Sequence, residues 1–315
     1  MNGTRSPQAM GSGLVMLAVG YLWVYNGVNF LAFKVGGDAF HPVLLAALRF
    51  GIAAILVLPV AVWRWRLRRP PVRELASAAL LGPVMLIGGQ TLAIWGTHFL
   101  PAGVASVFGS AAPVFLALFA WLFLRQSLGG RQLAGVGLGL SGLAAMAWLS
   151  SSGAGFRPIG AVMTLTASAL WAAGSLAATR LRLPDDPVIG LAAQLIPTAV
   201  LLALAVCLSG ISASLHPAAV PLRAWGALAF LIVASTLVGY AVFLVLDRSQ
   251  SSVLANSFNY VAPVIALGLS AWLLDEPVGW GKLMAAAVTL AGVFLMIGSR
   301  SATSKPEQHP HRDAR

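Results

Sequence analysis

Apolar residues run through this chain in blocks of about 20, the length that carries an α-helix across ~30 Å of hydrocarbon. Short stretches rich in Pro, Gly, Arg and Asp part the blocks. Ten are read, over 12–34, 41–63, 75–96, 101–124, 131–150, 157–179, 187–209, 223–246, 251–274 and 279–298. Strict alternation of apolar and polar positions, the mark of a lipid-facing strand, is absent from them. The expected fold is an all-α membrane protein with ten transmembrane helices.

Composition sharpens this reading. Hydrophobic residues make up 58% of the chain and charged ones 9%, with a mean hydropathy of +0.85, whereas a soluble domain carries about a quarter charged residues. A formal charge of +11 over 315 residues raises the question of a nucleic-acid partner, and the placement of the charge answers it. Of the 20 lysines and arginines, 15 fall on loops that share a side with the N-terminus, among them Arg64, Arg66, Arg68, Arg69 and Arg73. Four fall on the other side, Lys34, Arg157, Arg223 and Lys282, and Arg49 lies within a block. The positive-inside rule produces this asymmetry and sets both termini in the cytoplasm. The basicity therefore follows from topology, and no nucleic-acid partner is expected. Cys207, the single cysteine, lies in an apolar block, which forbids an intrachain disulfide. The first block lacks a small-residue cleavage site after it and reads as a retained helix. Residues 1–11 and 300–315 read as cytoplasmic tails, the second disordered, with His309 and His311 solvated and no metal or cofactor site expected.

The chain repeats itself. At a shift of 150, the stretch 101–149 meets 251–299 in eleven identities, including Phe108/Phe258, Pro113/Pro263, Gly129/Gly279 and Gly142/Gly292; chance in so biased a composition gives roughly four or five. A weaker echo lies upstream, where "LW" at 22–23 meets "LW" at 170–171. Each half then holds five helices, over 12–150 and 157–299 with a linker at 151–156. Because five is odd, the second half enters the membrane from the opposite face. Two inverted five-helix repeats around a central cavity are the expected architecture, the one that permits alternating access in secondary transporters.

"NFLAFKVGGDAFHPVLLAALRF" (29–50), the two "APV" helices and "LLDEPVGWGKLMAAAVTLAGVFLM" (273–296) resemble the EamA-type ten-helix branch of the drug/metabolite transporter superfamily, over about residues 12–299. The resemblance implies a monomeric, multi-pass exporter of amino acids or other small metabolites in the cytoplasmic (inner) membrane, with the lipid bilayer and a small-molecule substrate as its partners. It also implies a Glu at the end of the fourth helix of each half; Glu276 stands there in the second half and Gln126 in the first.

Polar side chains inside a span face the bundle interior, so they are the candidates for substrate contact. Tyr21, Tyr25 and Asn29 share one face of the first helix at i, i+4 and i+8, with Asn26 beside them. Gln90 and Tyr240 occupy matching places at the 150 shift. Trp171 and Ser175 on the sixth helix, and Asn256, Asn259 and Tyr260 on the ninth, complete an expected wall of amides, hydroxyls and rings suited to a small zwitterion. Interhelical hydrogen bonding and packing are the alternative for each. Arg49 lies about 12 Å below the outer end of its helix at 1.5 Å per residue. It binds a substrate carboxylate or organises the cavity in one reading, and snorkels outward or pairs with Asp38 in another; a structural or gating role is preferred to direct ligation. Lys34 is a gate residue or, preferably, an interface anchor. The glycines Gly135 and Gly139 imply close helix contact, within one chain or between two.

No nucleophile and base constellation, HExxH, CxxC or phosphate-binding glycine loop is present, so an enzyme is not expected. All nine acids lie in loops, helix ends or tails. A carboxylate proton or sodium relay has no carrier, and facilitated diffusion or exchange is expected. Multidrug export, and a non-transporting or lipid-handling membrane role, are the alternatives; the matched halves argue against the second.

Overall fold

In hydrocarbon every backbone N–H and C=O must find its partner within the protein, and a helix pairs them within one segment. The apolar blocks accordingly fold as helices, and the described residues contain no strand. The computed structural model describes residues 12–67, 69–151, 153, 155–211, 217–249 and 257–298. In chain order the helices are α1 (Ser12–Ala39), α2 (Pro42–Leu67), α3 (Val72–Gly82), α4 (Leu92–His98), α5 (Ala102–Gly109), α6 (Ala112–Leu124), α7 (Gly130–Ser150), α8 (Pro158–Ala178), α9 (Pro187–Ser209), α10 (Leu222–Phe230), α11 (Tyr240–Ser249), α12 (Phe258–Leu273) and α13 (Trp280–Gly298). Two π-helical segments, Pro83–Thr91 and Leu231–Gly239, join α3 to α4 and α10 to α11. Among the described residues, eight helical runs are long and apolar enough to cross a membrane, and two shorter apolar helices, Phe258–Leu273 and Trp280–Met296, follow them.

Local chemistry sets the helix ends. Pro42, Pro158 and Pro187 open α2, α8 and α9, where a missing N–H leaves nothing unpaired. Asp186 caps α9 by accepting from the N–H groups of Val188 and Ile189 at 2.9 and 3.3 Å, and its other oxygen accepts from Arg64 Nη1 at 2.9 Å. Burial alone would raise the pKa of this carboxyl; the Arg64 and backbone hydrogen bonds outweigh burial and hold it below its ordinary value. Helix α1 extends to Ala39, five residues past the expected end. Lys34 and Asp38 pair across one turn at 3.1 Å, which carries the helix through its polar end. The fourth block breaks between α5 and α6 because Pro113 has no N–H to offer the Gly109 carbonyl. Ser168 of α8 supplies a donor there, 3.2 Å from that carbonyl and 3.1 Å from that of Phe108. Residues 251–256 of the ninth block, the tails 1–11 and 299–315, and Ser152 and Ala154 of the linker lie outside the described residues.

The two halves echo one another in detail. The π segments begin 148 positions apart and are each nine residues long. In each, at the ninth position of the first and the sixth of the second, a threonine hydroxyl donates to the carbonyl five residues earlier, Thr91 to Leu86 at 3.0 Å and Thr236 to Leu231 at 2.8 Å. Further on the spacing is 150: Arg125 and Asp275 both have φ 53. The N–H groups of Gln126 and Glu276 then return to the carbonyls of Ala120 and Ser270 at 3.3 and 3.2 Å.

Packing runs mainly between the halves, α7 on α13, α2 on α9, α1 on α12, and α8 on the first π segment. In the α7–α13 contact Gly142 meets Ala285 and Thr289, while Gly292 meets Gly135 and Gly139, with no space for a Cβ at either. The glycine pattern of α7 is therefore used within one chain. The largest apolar cluster, including Leu45, Phe50, Ile94, Leu195 and Leu231, fills the space among α1, α2, α4, α9 and the second π segment.

Candidate functional site

Helix α1 turns its polar stripe toward the second π segment. The Tyr21 hydroxyl donates to the Ala234 carbonyl at 2.7 Å. A π turn loosens the regular i to i+4 ladder, and this donor comes from another helix to one of its carbonyls. The Tyr25 ring lies 5.3 Å from that of Tyr21 and fits against Gly239, where a Cβ would stand 2.7 Å from the ring. Asn26 Nδ2 donates to the Leu22 carbonyl at 2.9 Å, within its own helix. Asn29, one turn beyond Tyr25, is 8% exposed and its Oδ1 has no partner.

Arg49 approaches the same place from α2. Its Nε donates to Thr236 Oγ1 at 2.9 Å and its Nη2 to Ser235 Oγ at 3.0 Å. The guanidinium carbon sits 4.8 Å from the centre of the Phe50 ring and 5.6 Å from that of Phe33. The residue is 1% exposed, Nη1 is buried without a partner, and no carboxylate faces it among the described residues. The expected pairing with Asp38, and the snorkelling alternative, are thus both overturned. Asp38 belongs instead to Lys34 Nζ at 3.1 Å and His98 Nδ1 at 3.0 Å, near the end of α1, while Arg49 is held two turns into α2 by the hydroxyls of the π segment.

The remaining candidates divide. Tyr240, at the exit of the second π segment, accepts from Gln194 Nε2 of α9 at 3.2 Å and so extends the polar group around Arg49. Gln90 is half-buried near the end of the first π segment, and Trp171 packs on the adjacent Gly89, 3.1 Å from where its Cβ would lie. Ser175 follows one turn along α8. Gln90 and Tyr240, set at matching places by the shift of 150, lie near the end of the first π segment and just past the end of the second. Asn259 begins α12, half-buried. The Tyr260 hydroxyl donates to the Val293 carbonyl at 3.3 Å, which places it in the α12–α13 contact. Asn256 lies outside the described residues.

Lys34 stands on the wall of a cavity of about 550 Å³ that opens at this end of the bundle, together with Asp38, Pro101, Arg223, Asp275 and Glu276. Glu276 accepts from the N–H groups of Ala102 and Gly103 at 2.7 and 3.3 Å, tying the end of α12 to the start of α5. Among the described residues no three of His, Cys, Asp and Glu gather to hold a metal. Gln194, Ser235, Thr236 and Ser168 were not expected from sequence: they are small or amide side chains within apolar runs, and no spacing signals their partners.

A guanidinium buried without a counter-ion among the described residues, against two aromatic rings, is equipped to bind a small polar molecule. The chain is 30% identical to "Uncharacterized inner membrane transporter YedA" of Escherichia coli K12 over 292 residues, 92% of each chain. It is 25% identical to a "Probable amino-acid metabolite efflux pump" of the same organism, over 90% of this chain and 94% of that one. A shorter stretch of 118 residues, 38% of this chain and 39% of the other, is 36% identical to a "Probable terminal-alkyne amino-acid exporter" of Streptantibioticus cattleyicolor. One crystal structure superposes with a TM-score of 0.62 at 21% identity, over 93% of this chain and all of its own, which carries the fold alone. Residues 11–148 and 158–298 each match the EamA-like transporter family, and the two matches take in both π segments and the glycine contact of α7 with α13: the chain belongs to the EamA-like transporter family.

Proposed function

We propose that the protein exports small metabolites, amino acids or related compounds first among them, across the cytoplasmic membrane by alternating access. The observation that carries this reading is the polar group around Arg49, buried where α1 and α2 of one half meet the second π segment of the other. Polar groups in hydrocarbon are costly and persist where they serve a solute. The names of the amino-acid relatives point the same way.

In this reading ten helices form two inverted five-helix repeats, 12–150 and 157–299, joined by a linker at 151–156. The matched π segments and matched φ 53 turns support the duplication. Both termini are cytoplasmic, the protein works as a monomer, and Lys34, Asp38 and Glu276 line an outward vestibule. The substrate contacts are Tyr25, Asn26, Asn29, Gln90, Trp171, Ser175, Tyr240, Asn256, Asn259 and Tyr260, with Lys34 and Arg49 as gate and support.

Counterflow of radiolabelled amino acids into proteoliposomes tests the reading. Uptake is expected with wild type, and a fall of tenfold or more is expected for Asn29→Ala, Gln90→Ala or Asn256→Ala on the order of one lost polar contact in a dry site. Unchanged transport in all three removes this site. Strict dependence on a proton gradient would overturn the expected exchange or facilitated mode. Labelling that finds Arg157→Cys and Arg248→Cys on the same side of the membrane would end the inverted arrangement.

A further inference from the structure

Two buried atoms at the heart of the polar group lack partners, and they are of opposite kinds: Arg49 Nη1 donates and Asn29 Oδ1 accepts. The rest of the guanidinium is fixed. Thr236 and Ser235 hold Nε and Nη2, and the rings of Phe50 and Phe33 lie against its plane. Nη1 is thereby presented in one direction before any ligand arrives, so little ordering remains to be done on binding. Phe33 is one helical turn from Asn29 on the same face of α1, which brings the amide oxygen to the neighbourhood of the guanidinium. Since no carboxylate balances Arg49 among the described residues, its charge stands uncompensated in a region of low dielectric.

We propose that Arg49 and Asn29 form the head-group subsite for an α-amino acid, with Nη1 of Arg49 donating to the substrate carboxylate and Oδ1 of Asn29 accepting from its ammonium group. This assignment rests on the exporter reading above and moves Arg49 from support to direct contact. The carboxylate supplies the missing counter-charge. The ammonium supplies the missing donor. The vestibule that holds Lys34 lies five residues along α1 from Asn29, about 7.5 Å at 1.5 Å per residue. Amines without a carboxylate place a second cation beside Arg49 and are rejected; carboxamides offer a neutral oxygen and bind weakly.

The test uses the full-length protein in lipid nanodiscs and proteoliposomes. A panel of L-amino acids is compared with the matching carboxamides, decarboxylated amines and deaminated acids, with sodium formate and sodium chloride as further arms. Wild type is expected to bind and carry the best amino acid about 100-fold better than its carboxamide, as befits one lost charge-assisted pair in a dry site. Arg49→Gln is expected to abolish that discrimination. Asn29→Leu is expected to weaken the amino acid about tenfold while leaving the deaminated acid unchanged. If Arg49→Gln fails to fold, the acid-to-amide ratio in wild type decides alone. Equal handling of acid and amide by wild type would leave the exporter reading standing and overturn the subsite. Protection by formate or chloride equal to that by amino acids would also overturn it, by making Arg49 a seat for a small inorganic or simple organic anion. Transport of no compound in any arm would sink the reading on which the subsite rests.

Discussion

The first π segment, Pro83–Thr91, meets α8 through apolar matter: Gly88 lies under Leu170 and Gly89 under Trp171. The second, Leu231–Gly239, meets α1 and α2 through hydrogen bonds: the Ala234 carbonyl takes the Tyr21 hydroxyl, and Ser235 and Thr236 take Arg49. Backbone and position are shared; chemistry is not. Counted from the prolines that open α2 and α9, Pro42 and Pro187, Arg49 falls opposite Gln194. The two repeats each carry a π segment and give it different neighbours, apolar in the first and hydrogen-bonding in the second.

That difference has a direct test in the two threonines. Thr91→Val removes a hydroxyl that serves one carbonyl and is expected to cost about 1 kcal/mol. Thr236→Val also strips Arg49 of a hydrogen bond to a buried charge, and about 2 to 3 kcal/mol is expected, read as the unfolding midpoint in mild detergent. Equal losses would mean that the second segment is no more polar in energy than the first. Next in size come the glycines. Gly239→Ala drives a methyl to within 2.7 Å of the Tyr25 ring and 2.9 Å of the Ala234 carbonyl, and Gly89→Ala to 3.1 Å of Trp171. Losses of about 2 and under about 1 kcal/mol are expected, with substrate affinity reduced more in the first.

The helices were legible because a block of about 20 apolar residues has few other options. The π segments were not, since "LIVASTLVG" has the same apolar character as any α-helical span and only Pro83 of the other copy disturbs the ladder. The identities at a shift of 150, Pro113/Pro263 and Gly142/Gly292, belong to the later helices, while the weaker upstream echo of "LW" has a shift of 148, the same interval as the starts of the π segments. The α1 face of Tyr25 and Asn29 was visible from helical spacing. The partners were hidden, because Tyr21 meets Ala234, Arg49 meets Ser235 and Thr236, and Gln194 meets Tyr240 across 46 to 213 residues, which no local pattern encodes.

Where the halves do agree, equal responses are expected. Arg125 and Asp275 share φ 53, a region that a residue with a Cβ enters at a cost of roughly 1 kcal/mol. Arg125→Gly and Asp275→Gly are each expected to stabilise the protein by about 0.5 kcal/mol, the gain being the relieved strain less the added freedom of the unfolded chain. Unequal responses would show that the vestibule around Asp275 loads one copy of the turn and not the other.

The smallest effect concerns two acids that share the 148 register, Asp38 and Asp186. Asp38 is exposed and divides itself between Lys34 and His98, and Asp38→Asn is expected to change stability little, as exposed ion pairs contribute about 0 to 1 kcal/mol. Asp186 is buried against Arg64 and the first N–H groups of α9, and its folded pKa lies below the ordinary 3.8. A depressed carboxyl binds its proton less readily in the folded state than in the unfolded one. Its stabilisation is therefore complete above about pH 5 and drains away as the pH falls through the unfolded value toward the folded one. Wild type should lose stability between pH 5 and pH 3 faster than Asp186→Asn, with the two unfolding curves converging at the acid end. Parallel curves would mean that the Arg64–Asp186 pair adds nothing to the α2–α9 contact, and that the two halves are held at this end by their apolar faces alone.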